Sequence, residues 1–160
     1  MVLGTFISMS TRKFHKLNTS YDRFFELLPD DWKEVIVPFW NDYKNTSSIY
    51  VFEDQLEVIA GGIVFATCPP DLIAHKDELQ HWFDKGYLYL GFIFVKQAMR
   101  GQNLGSQWLD AIKRQYPKQS FWLLIEDEHL HYFYKKNGFE RVQDFKNTGQ
   151  TEGLYVYNGS

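Results

Sequence analysis

The sequence predicts one mixed α/β domain over residues 1–160, with antiparallel hairpins toward both ends and strand–helix–strand units between them. Three observations carry that prediction. The chain has 160 residues, of which 44% are apolar and 18% aromatic, enough for one core without metal or disulfide staples. The run Tyr87-Leu88-Tyr89-Leu90-Gly91-Phe92-Ile93-Phe94-Val95 is apolar on both faces, as a covered central strand is. Around it, β-rich runs alternate with segments whose apolar residues recur at helical spacing.

In chain order, residues 3–9 read as a first strand, and Thr19 or Ser20 offers an N-cap for a helix from Tyr21 to Leu28 that Pro29 stops. A second helix starts near Asp30 and Asp31, whose charges suit a helix amino end, and Pro38 ends or kinks it. Ile49–Phe52 and Val58–Phe65 form a hairpin through Glu53-Asp54-Gln55. Residues 71–85 read as a loop with a short helix, closed by Gly86. Gly91 in the central strand marks a bulge or a close backbone approach. Leu104, Trp108, Ala111 and Ile112 share one helical face, and Pro117 ends that helix. Phe121–Ile125 is a further strand, His129–Asn137 a helix capped by Gly138, and Phe139–Phe145 and Leu154–Tyr157 are closing strands.

Cys68 is the single cysteine, so no intramolecular disulfide is expected, and the amino terminus lacks a secretory signal, which makes a cytoplasmic location the default expectation. No run approaches the ~18 apolar residues of a membrane span. The net charge of −3 argues against a strongly basic nucleic-acid binder. From Lys96 to Arg141 there are eight basic residues against five acidic ones, so that segment is +3 and the remainder −6. The first suits a polyanion and the second a cation. His129 and His131, two apart on a helix, face different ways, and no metal site is expected.

Between the central strand and the next helix lies Arg100-Gly101-Gln102-Asn103-Leu104-Gly105-Ser106. The first N–H groups of a helix lack partners and carry the positive end of its dipole, so an anion can dock there. The glycines let a ligand approach, and Arg100 can add a charge-assisted fork to a phosphate oxygen. Two nucleotide motifs fail: Gly105 is followed by Ser106-Gln107 and not by the Lys-Ser/Thr of a P-loop, and the third glycine of the dinucleotide fingerprint is missing.

The turn resembles the pyrophosphate loop of the GNAT acetyltransferase superfamily, Q/RxxGxG/A, with Asn103 where the family usually has glycine. Asparagine is the non-glycine residue most tolerant of left-handed dihedrals. A second family motif matches Phe133-Tyr134-Lys135-Lys136-Asn137-Gly138-Phe139, and the spacing between the two agrees. The resemblance is firm over residues 87–142 and looser upstream. It implies a GNAT fold, a twisted mixed sheet of about six or seven strands flanked by about four helices. It also implies acetyl-CoA as acyl donor. The donor's pantetheine arm would pair with the backbone of Phe94, Val95 and Lys96, and its pyrophosphate would sit on Arg100, Gly101, Gln102, Asn103, Leu104, Gly105 and Ser106. Asp127 stands where relatives commonly have asparagine; it can accept from the pantetheine arm or serve as a helix N-cap, the reading favoured here.

Acetyl transfer from a thioester to an amine needs a neutral amine, a held oxyanion and a proton for the thiolate. Tyr134 is the expected general acid, since a phenol pKa near 10 is close enough to a thiol's ~8.5 for a phenol hydrogen bond to the departing sulfur to be chemically reasonable. A main-chain N–H around Val95 is the expected oxyanion donor. The central strand has no Asp, Glu or His, which leaves Glu126, Asp84 or a water relay as base. The aromatic residues Trp32, Phe39, Trp40, Tyr43, Trp82 and Tyr89 can line an acceptor pocket or cradle a cationic amine, with core packing the expected role for most. The reading is an N-acetyltransferase acting on a primary amine, with no nucleic acid or membrane partner and a homodimer left open. A catalytically weak or inactive acyl-CoA-binding or regulatory module, or a structural domain without CoA affinity, are the competing readings.

Overall fold

The computed structural model describes residues 12–159. Its strands are β1 (Lys13–Leu17), β2 (Ser47–Asp54), β3 (Glu57–Phe65), β4 (Leu88–Val95), β5 (Phe121–Ile125), β6 (Glu140–Asn147) and β7 (Gln150–Tyr157). Its helices are α1 (Asp22–Phe25), α2 (Asp30–Ile36), α3 (Trp40–Tyr43), α4 (Lys76–Asp84), α5 (Leu104–Gln115) and α6 (His131–Lys136). The strands form one sheet in the order β1-β2-β3-β4-β5-β7-β6. All neighbours are antiparallel except β4 and β5, which run parallel.

Both faces of the sheet are covered, and β3 shows why. Gly61 and Gly62 point to opposite faces, and a Cβ on them would lie 2.7 Å from the Phe24 ring and 2.6 Å from the Trp108 ring. The missing side chains admit α1 on one face and α5 on the other. Trp108 is then fixed by its indole N–H, which donates to Tyr50 O at 3.0 Å. Phe24, Phe65, Trp108, Phe121 and Trp122 are fully buried and fill the core between helices and sheet.

The mixed α/β architecture agrees with the sequence, and several local expectations are corrected. The strand expected at residues 3–9 lies outside the described residues, and β1, at Lys13–Leu17, pairs antiparallel with β2 without having been foreseen. Neither Thr19 nor Ser20 caps α1: the N-cap is Tyr21, it makes no side-chain cap bond, and α1 is a single turn. Pro38 does end the second helix as expected: α2 stops at Ile36, and a 3-10 turn, Val37–Phe39, carries the chain on into α3. β2 runs on through Asp54, and the hairpin turn is Gln55-Leu56, both left-handed at φ 51° and 67°. The helix expected from His129 splits into a 3-10 turn, Glu128–Leu130, and α6. β7 inserts between β5 and β6, an order the sequence did not reveal.

Candidate active site

The two edges of β4 differ. Toward β3 the ladder runs from Phe65↔Tyr89 to Ala60↔Val95, interrupted only where Gly62 faces both Phe92 and Ile93. A bulge is present there, as Gly91 suggested, but the left-handed residue is Phe92, at φ 55°. Gly91 is needed for space instead, because a Cβ would lie 2.8 Å from the Tyr89 ring. Toward β5 only Leu88↔Phe121 and Tyr89↔Trp122 are paired. Beyond them the strands part around a cleft of about 550 Å³, walled by Tyr89–Ile93 of β4 and by residues 123–127, with Trp32 of α2 on one side.

At the far end of β4 the main-chain groups sort by edge. Lys96 N–H donates to Ile59 O and Lys96 O accepts from Met99 N–H, each at 2.8 Å, so neither group is available to a ligand. Strand alternation then turns the Val95 groups toward the open edge. Val95 O accepts from Arg100 Nε at 3.2 Å, and the Arg100 guanidinium lies 5.1 Å from the Phe94 ring centroid. Phe94 faces β3 opposite Gly61, and its ring packs edge-on to Trp32.

The turn that follows has the shape its sequence implies. Gly101 and Asn103 are both left-handed, at φ 84° and 63°, and Asn103 is the N-cap of α5 without a side-chain bond. Gln107 N–H donates to Asn103 O, the first bond of the helix, so the N–H groups of Leu104, Gly105 and Ser106 face outward as a helix amino end does. Leu104 is buried in the core, and Gln102 Oε1 accepts from Arg12 at 2.5 Å. Gly105 admits a neighbouring ring: a Cβ there would lie 2.9 Å from Phe133 of α6. Ser106 is buried and its Oγ accepts from Asn137 Nδ2 at 3.0 Å, while the same amide donates to Phe133 O at 2.8 Å. The two sequence motifs are therefore bolted to each other through Gly105, Ser106, Phe133 and Asn137.

That bolt sets Tyr134 on the cleft wall. Its side chain is 6% exposed, held among the rings of Phe133, Phe139 and Tyr155, and its hydroxyl has no hydrogen-bond partner among the described residues. Burial pushes its pKa well above the usual tyrosine value, so the phenol stays protonated at neutral pH. Gly138, left-handed at φ 90°, ends α6 as expected.

A family model for the acetyltransferase (GNAT) domain matches residues 45–141, more than half of the chain. The chain belongs to the GNAT acetyltransferase family. No curated protein sequence matches it. Solved structures agree on the fold at low identity. A Corynebacterium glutamicum protein described as a histone acetyltransferase and related acetyltransferase has a TM-score of 0.69 at 14% identity, covering 95% of this chain and 98% of its own. An aminoglycoside 6'-N-acetyltransferase complexed with coenzyme A has a TM-score of 0.69 at 12% identity, covering 91% and 96%. A GNAT acetyltransferase from Elizabethkingia anophelis with acetyl-CoA bound has a TM-score of 0.59 at 16% identity, covering 92% and 97%.

Within this GNAT domain the remaining candidates separate by position. Asp127 lines the cleft but is the N-cap of the Glu128–Leu130 turn: its Oδ1 accepts from His129 N–H at 2.9 Å and meets His129 Nδ1 at 2.9 Å. The His129 N–H bond holds its pKa below the usual range. Glu126 lines the cleft, whereas Asp84 does not and accepts from Gln80 on its own helix. Two acids the sequence reading missed, Asp71 and Glu152, also line it. Desolvation by the surrounding cleft raises the pKa of both carboxyls, although Asp71 as a residue is exposed and Glu152 half-buried.

Of the aromatic candidates, Trp32 and Tyr89 line the cleft, Trp40 and Trp82 are buried in the core, and Phe39 and Tyr43 border a separate hollow of about 460 Å³. The basic residues of the Lys96–Arg141 segment are partly engaged within the protein. Lys96 pairs with Glu57, Arg141 with Glu128 and Asp144, and Lys113 donates to Asn137 O. The Cys68 thiol is buried and its pKa is pushed up to about 11 by that burial, which leaves it a poor nucleophile. His131 shares a hydrogen bond with Tyr155 at 2.7 Å, and among the described residues no group of side chains is arranged to hold a metal. No described helix is long and apolar enough to cross a membrane.

Proposed function

We propose that this GNAT domain transfers the acetyl group of acetyl-CoA to a primary amine by direct attack in the cleft between β4 and β5, with Tyr134 as general acid. The observation that carries the reading is the open edge of β4, with the unpartnered Tyr134 hydroxyl on the facing wall. An extended pantetheine arm adds to that edge as a further strand, meeting the Val95 N–H, and its pyrophosphate takes the outward N–H groups at the start of α5.

The amine nitrogen attacks the thioester carbonyl and forms the C–N bond. A further main-chain N–H on the open edge of β4, distinct from the one that pairs with the arm, holds the oxyanion. As the C–S bond breaks, Tyr134 gives its proton to the sulfur, and the proton leaving the amine passes to a carboxylate of the cleft or to water. A lysine-like amine is neutral about once in 2,500 molecules at pH 7, a penalty of roughly 4.6 kcal/mol, so taking up that proton matters as much as donating one.

Acetyl-CoA is expected to raise the melting temperature, and an acceptor panel read by CoA release tests the transfer. The second reading, an acyl-CoA-binding module without turnover, draws on the commitment of the Asp127 carboxylate to His129. Tight acetyl-CoA binding with no CoA release for any amine decides for the module.

A further inference from the structure

The acids of the cleft form a group that acetyl transfer alone does not require. β5 and β7 are in register through Ile125↔Gly153, and continuing that register one residue past the end of the ladder brings Glu126 toward Glu152, like charges on neighbouring strands. Asp71, from the Pro70–His75 turn before α4, lines the same cavity, and the charges of Glu126 and Asp71 both raise the Glu152 pKa. One carboxylate oxygen of Glu152 is buried without a hydrogen-bond partner. Among the described residues, no lysine, arginine or histidine lines the cavity. An Asn147 hydrogen bond and His75 lower the Glu152 pKa in part, and His75, which is not among the cavity's lining residues, hydrogen-bonds Asn147 Oδ1 at 3.2 Å and packs edge-on to Phe145. Tyr134, a buried residue whose hydroxyl has no hydrogen-bond partner among the described residues, lines this cavity as well.

Three carboxylates gathered on one cleft, with no described lysine or arginine among its lining residues, repel one another, and burial adds to that cost at Glu152. A single ammonium at the thioester would leave most of this charge unanswered. We infer that Asp71, Glu126 and Glu152 form an anionic subsite for the second ammonium group of an acceptor with two amines, an α,ω-diamine or longer polyamine, whose other amine takes the acetyl group. The inference rests on the acetyl-transfer reading, and Trp32, across the cleft, adds an aromatic wall along which an alkyl chain can lie.

Calorimetry on the CoA-loaded protein with 1,4-diaminobutane, spermidine and 1-aminobutane tests it. The diamine and spermidine are expected to bind at least about tenfold more tightly than the monoamine, the size of one charge-assisted contact. Glu152→Gln and Asp71→Asn are each expected to cut that ratio at least about fivefold, and Asp84→Asn, outside the cleft, to leave it unchanged. Two substitutions on different elements keep the test alive if one variant folds poorly. Equal affinities in the parent protein, no binding of any of the three amines, or a preference that survives both substitutions overturns the subsite. CoA release measured alongside separates the two readings. Monoamines acetylated as well as diamines remove the subsite and leave acetyl transfer standing, whereas selective diamine binding without CoA release does the reverse.

Discussion

The two edges of β4 teach different lessons about the same strand. On the β3 edge almost every rung is filled and the packing tolerates no added atom, as Gly62 against Trp108 shows. On the β5 edge the ladder stops after two rungs, and the strand instead presents backbone, aromatic rings and an acid-lined cavity. The closed edge supplies rigidity, and the open edge uses it. Phe92, an aromatic residue held left-handed at φ 55°, sits at the division, where the bulge re-aims the strand. Such a conformation costs on the order of 1–3 kcal/mol and persists only where the surroundings enforce it. Here the rings of Trp32 and Phe65 pack against it.

The largest expected effect breaks the closed edge. Gly62→Ala forces a Cβ into the Trp108 ring and should lower stability by about 3 kcal/mol, read by urea denaturation. On the open edge, Tyr134→Phe should leave the fold intact, cut turnover about a hundredfold and change acetyl-CoA affinity less than about twofold. Unchanged turnover removes Tyr134 from the mechanism.

A smaller effect is expected at the turn. Asn103→Ala keeps a left-handed backbone without a residue suited to it, costing about 1 kcal/mol of stability and weakening acetyl-CoA binding about fivefold by calorimetry. The smallest effect has the opposite sign. The Glu152 pKa is raised by burial and by its acidic neighbours, so the fold favours the protonated form and is penalised once the group ionises. Glu152→Gln should therefore raise the melting temperature by about 2 °C at pH 7, and the gain should vanish as pH falls below the unfolded carboxyl value near 4.

What the sequence made legible was local. Gly101, Asn103 and Gly138 leave a mark in sequence because a left-handed backbone restricts residue type, and these positions outline the two motifs. The acid cluster was not legible, because Asp71, Glu126 and Glu152 come from three distant segments. Glu126 and Glu152 become neighbours only because β7 slots in beside β5. Nor did the sequence show what Gly105 and Ser106 do. Read as part of an anion turn, they also prove to be the contact between α5 and α6, through the Phe133 ring and Asn137.

The central claim is that the open edge of β4 receives the acyl donor as an added strand. Amide hydrogen exchange with and without acetyl-CoA tests it at two adjacent residues. Val95 N–H, turned to the open edge, should slow at least about tenfold on binding, while Lys96 N–H, already bonded to Ile59 O at 2.8 Å, should not change. Acetyl-CoA binding that leaves Val95 unprotected, or that slows both amides alike, contradicts the account.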